Sequence, residues 1–116
     1  MEKKKYKDFE FDLFGTKWQV KFVEKVDIKD ADDSKFYFGH SDGIRSIITI
    51  AVKDDEGNPL KEDTIALTLI HEIIHAIFGN GCYNNSCDDE PLVEWTAKCI
   101  MSLIKQNVLT YDKFKI

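Results

Sequence analysis

The apolar residues of this chain change their period once, and that change constrains the fold more than any other feature. Over residues 9–22 they recur at every second position: Phe9, Phe11 and Leu13 alternate with Glu10 and Asp12, then Trp18, Val20 and Phe22 alternate with Lys17, Gln19 and Lys21. Successive strand side chains point to opposite faces, so this pattern predicts a hairpin with one apolar face, reversing near Gly15-Thr16. A second hairpin is expected from Phe36–His40 and Ile44–Val52, because Asp42-Gly43 between β-prone runs favours a tight reversal. After the turn formers Asp54-Asp55-Glu56-Gly57-Asn58-Pro59 the period lengthens to about 3.6 residues, the signature of helices.

The first helix is predicted from Leu60 or Asp63 to Phe78, with Glu62 and Asp63 at its positive end and Gly79-Asn80-Gly81 as stop residues. Ile65, Leu69, Ile70, Ile73, Ile74 and Ile77 form its expected buried flank. Pro91 suits the first turn of a second helix capped by Asp88 or Asp89, and a stripe from Leu92 and Val93 through Trp95, Thr96, Ile100, Leu103 and Ile104 carries it to about Gln106. Residues 25–35 read as a charged connection, and the tail from Val108 fits either a strand or a frayed helix. A chain of 116 residues is too short for two separate cores. The expectation is therefore one α+β domain over residues 1–116: a short antiparallel sheet of about four strands, followed by two long helices.

Composition narrows the function. Sixteen Lys+Arg against twenty-one Asp+Glu give a net charge of −5, which argues against nucleic acid and against a polybasic membrane anchor. The longest apolar run, Ile65–Phe78, is broken by His71, Glu72 and His75 and is shorter than the roughly 20 residues a membrane span needs, so no membrane partner is expected. The basic start Met1–Tyr6 is not followed by an apolar signal core, and the odd set Cys82, Cys87 and Cys99 reads as reduced thiols. A cytoplasmic monomer is expected. Cys82 and Cys87 fit no common thiolate zinc spacing and read as loop thiols, while Cys99, Trp18 and Trp95 read as core.

The chemistry concentrates in His71-Glu72-Ile73-Ile74-His75. Two imidazoles four residues apart on a helix point the same way and can chelate one ion, zinc being the natural choice for nitrogen ligands. Glu72 projects about 100° round the helix from His71, beside the ligand pair, where a general base could reach a water. A third ligand has to come from Glu90, Glu94, Asp88, Asp89, His40 or the cysteines. Glu94 is favoured because it lies one turn into a helix that a short loop would set antiparallel to the first. Glu90 lies on the same face but reads equally well as a terminal charge near the helix dipole.

These residues, with Thr68-Leu69-Ile70 before and Ala76-Ile77-Phe78 after, resemble the gluzincin class of HExxH zinc metallopeptidases, in particular small bacterial and phage-type members of the ImmA/IrrE group. The likeness covers about Phe36 to Ile104 and implies a minimal zincin-like fold in which a glutamate on the next helix, here Glu94, completes the zinc site. It implies peptide-bond hydrolysis, with zinc acidifying a water whose proton Glu72 takes and returns to the leaving amine. It also implies an edge strand that pairs with an extended peptide or protein substrate, a place Phe38, Gly39 and His40 would occupy. His40, Tyr83 and Arg45 are the polar candidates for an oxyanion donor, with His40 foremost. The third histidine of metzincins is absent, and a catalytically weak or inactive peptide-binding module from a phage or mobile element is the alternative.

Overall fold

In the computed structural model, which describes residues 5–28, 35–81 and 90–106, the alternating segments form a four-stranded sheet and the helical ones two helices. Strands β1 (Phe9–Leu13) and β2 (Thr16–Val23) make the first hairpin. Phe14 (φ 51) and Gly15 (φ 87) both lie in the left-handed region that a two-residue reversal needs to match the twist of its strands. Strands β3 (Gly39–Asp42) and β4 (Ile47–Ala51) make the second hairpin. Its ends differ from the expected ones. The Asp42 carboxylate accepts from the backbone N–H groups of Ile44 (3.0 Å) and Arg45 (3.1 Å), and Ser46 (φ 58) takes the left-handed conformation. The reversal therefore consumes residues 43–46, and the expected Phe36–His40 strand slides forward to begin at Gly39.

The sheet order is β1-β2-β4-β3. Both hairpins are antiparallel, but β2 pairs with β4 in parallel, with Val20 opposite Ile48 and Phe22 opposite Ile50. The sheet is thus mixed, a feature alternation cannot reveal because a period of two carries no strand direction. It puts β3 on the outer edge of the described strands.

Helix α1 (Glu62–Gly81) opens with Ile65 N–H donating to the Lys61 carbonyl and runs through the glycines expected to stop it, which lie in its last turn. Helix α2 (Glu90–Lys105) carries Pro91 in its first turn, where a missing N–H leaves no helical bond unmade. Two apolar clusters define the layers. Trp18, Val20, Phe22, Ile48 and Ile50 of the sheet bury against Ile65 and Ala76 of α1. Ile74 buries against Val93 and Ala97 of α2, flanked by Leu67, Ile70, Phe78 and Ile100. So α1 lies between sheet and α2, apolar on two flanks instead of one. Ile77 falls outside both flanks and is exposed. On α2 the packing residues are Val93, Ala97 and Ile100. Leu92, Leu103 and Ile104 are exposed, as is Trp95, 68% exposed and not in the core. Cys99, also expected inside, is exposed on the same helix. A stripe wider than its partner's surface leaves its margins in solvent. Among the described residues no helix is long and apolar enough to cross a membrane.

Candidate metal centre

At about 100° per residue, the two buried flanks of α1 leave one strip facing the groove between β3 and α2. His71 and His75 lie on it, one turn apart, with ring centroids 4.9 Å from each other. Their side chains are only 14% and 18% exposed. Glu90, in the first turn of α2, spans the pair. Its Oε2 lies 3.1 Å from His71 Nε2 and its Oε1 lies 2.8 Å from His75 Nε2. One donor atom from each of His71, His75 and Glu90 falls within 4.8 Å of the others. Ligand atoms about 2.0–2.2 Å from a tetrahedral ion sit roughly 3.4 Å apart, so the spacing of these contacts already approaches that of a coordination sphere. The donor set, two imidazole nitrogens and a carboxylate oxygen, can hold a metal ion and leave a position open to solvent.

The structure groups Glu90 with the imidazoles, whereas the sequence favours Glu94 as the third ligand. The reason is position along α2: Glu90 begins the helix beside both rings, whereas Glu94, one turn on, meets only the far side of His71. Its Oε2 lies 3.2 Å from His71 Nδ1. The carboxylate is thus an ion-pair neighbour of Nδ1, and a proton on Nδ1 would leave Nε2 available to an ion. Both glutamates therefore lie against His71, one at each ring nitrogen.

Glu72 points toward the sheet, one residue round from the ligands, and is 7% exposed. Burial pushes its carboxyl above the usual carboxylate range, opposed by a hydrogen bond from Ser41 and by the nearby imidazoles. Ser41 Oγ lies 2.9 Å from Glu72 Oε1 and 2.8 Å from the Glu72 carbonyl, so a single hydroxyl on β3 ties down both the side chain and the helix backbone. Gly39, two residues back on the same face, permits the close approach. A Cβ there would stand 2.8 Å from Thr68 Cγ2 and 3.0 Å from Glu72 Cγ.

The other predicted site residues fall as follows. Phe38 borders the groove beside His71. His40 pairs with Thr49 on β4, and the pleat turns it to the face opposite Gly39 and Ser41, away from α1. Arg45 is exposed and pairs with Asp42 at 3.5 Å. Tyr83, Cys82, Cys87, Asp88, Asp89, residues 29–34 and the tail from Val108 lie outside the described residues. Sequence reasoning missed Ser41, for which the only available signal is its place two residues after Gly39 on a strand.

Comparison with family models, curated proteins and solved structures finds no match to this chain. The reading of the site rests on its own residues.

Proposed function

We propose that this chain is a zinc-dependent peptidase: His71, His75 and Glu90 hold the ion, Glu72 is the general base, and an extended peptide lies along the outer edge of β3. The observation carrying this reading is the convergence, within 4.8 Å, of two imidazoles of α1 and Glu90 of α2, with the buried Glu72 carboxylate on α1 between the two histidines in sequence. When bound, zinc would polarise the scissile carbonyl and acidify a water.

The protein's own groups supply the rest. Glu72, made more basic by its burial and steadied at Oε1 by Ser41, accepts a proton at Oε2 and returns it to the leaving amine. Glu94 keeps the His71 ring aimed at the ion. Ala51 N–H donates to the Phe38 carbonyl, so the alternation of an antiparallel ladder turns the N–H and C=O of Gly39 and Ser41 outward. Those groups can pair with a substrate backbone beside the ion.

Elemental analysis of protein purified without chelator should find about one zinc per chain. Glu72→Gln should keep the metal and lose cleavage of a peptide mixture read by mass spectrometry. A Glu72→Gln protein that cuts as fast as wild type would refute the base assignment. Bound peptide with no cut products from wild type would assign a binding module instead.

A further inference from the structure

Helix α2 is apolar on two sides, and only one of them is covered. Val93, Ala97 and Ile100 pack on α1. Leu92, Trp95 and Cys99 are exposed, and with the exposed Ser102 they recur at spacings of three, four and three residues. That spacing is the seam of a two-stranded coiled coil, and at about 100° per residue it lies about 150° round the helix from the contact with α1. Leu103 borders the seam and is exposed as well. A single exposed apolar residue is ordinary, but here they form a continuous strip along three turns of the outermost layer of the fold.

We infer that this face of α2 is a homodimer interface, on which a second copy of the chain packs its own α2 antiparallel. Charge sets the direction. Glu90 and Glu94 stand in the N-terminal half of α2 and Lys98 and Lys105 in the C-terminal half, with no other charged residue on the helix. Antiparallel packing lays the acidic half of one helix over the basic half of the other and opposes their macrodipoles, whereas parallel packing lays like on like. Lys98 is exposed and engaged in no ion pair among the described residues, and this packing brings it within one helical turn of Glu94 in the second copy. Side-chain size agrees. A two-fold axis passing between positions 95 and 99 sets Trp95 against Cys99 of the second copy and Leu92 against Ser102, so each large side chain meets a small one. Glu90 and Glu94 meet the histidines on a different side of α2, so pairing leaves the metal centre open and does not depend on it. One helix face about 24 Å long buries less than the roughly 800 Å² per partner of a standard interface, so the dimer is weak, with a dissociation constant of about 10–100 μM. The monomer expected from the sequence is then the dilute form.

Sedimentation equilibrium of the full chain under reducing conditions, from about 5 μM to about 1 mM, should show a monomer passing to a dimer. Trp95→Glu should weaken the dimer about tenfold or more, while Phe14→Glu, at an equally exposed aromatic residue in the β1–β2 turn, should leave it unchanged. Cys99→Trp should weaken it by a similar factor, and exchanging the two side chains, Trp95→Cys with Cys99→Trp, should restore it to within about threefold, all at an unchanged melting temperature. Direction is read from cysteine links. Chains carrying Leu92→Cys and chains carrying Ser102→Cys, each with Cys99→Ala, should on mixing and mild oxidation join position 92 of one copy to position 102 of the other in mass-spectrometric maps. A chain that stays monomeric at about 1 mM would overturn the interface. So would a dimer that tolerates Trp95→Glu, an exchange variant no better than Cys99→Trp, or links that join position 92 to position 92.

Discussion

Glu72 is the residue on which most converges, because the proposed reaction needs it charged and the fold has buried it. Its carboxyl is raised by burial, so the stability linked to it is fully present below the ordinary Glu value of about 4.3 and declines as pH rises through the higher folded-state value. In chelator, Glu72→Gln should therefore match wild type in melting temperature near pH 4 and exceed it by a few degrees at pH 7–8. A difference that stays constant with pH would contradict this account. The neutral amide can still accept the Ser41 hydroxyl through its oxygen. The glutamates of α2 divide differently. Glu90→Gln should weaken zinc binding by about a hundredfold or more, and Glu94→Gln, which removes only the support of His71, by about 10–100-fold with stoichiometry intact. Competition titrations with a zinc dye would rank them. The motif His71-Glu72-His75 was plain in the sequence because helical spacing alone aligns its rings. The choice between Glu90 and Glu94 was not, since both lie on one helix face and only the placement of α2 separates them.

At the level of elements, β3 and α1 are held together by contact too close for a side chain at Gly39. Gly39→Ala should cost about 1–3 kcal/mol, because the new methyl meets Thr68 Cγ2 at 2.8 Å and Glu72 Cγ at 3.0 Å. Thr68→Ala removes the nearer obstacle and should recover part of that loss. A urea-denaturation double-mutant cycle that shows no coupling between the two would mean that strand and helix separate freely. Alternation and helical periodicity gave each element its type. They missed the strand start at Gly39 because Asp42 and Ser46 build the reversal, and they overstated the buried face of α2, where Trp95 and Cys99 stand in solvent.

For the whole molecule, α2 rests on α1 through the apolar cluster around Ile74, Val93 and Ala97 and through polar contacts of Glu90, Glu94 and Lys105, and an ion shared by His71, His75 and Glu90 would add a further tie between the same helices. Zinc at about a hundred times its dissociation constant should stabilise the fold by about 2.7 kcal/mol, and hydrogen exchange should slow most in α2. A chelator should reverse both effects, and uniform protection across sheet and helices would argue against the tie. The sequence by itself determined the class of each described strand and helix, the α+β composition and the paired imidazoles, because these depend on periods of two or about 3.6 residues read within one element. Tertiary structure alone decided the parallel pairing of β2 with β4, the hold of Ser41 on Glu72 and the partnership of Glu90 with both rings. Each of these joins residues from different elements, and their separation in space is set by packing that no local pattern encodes.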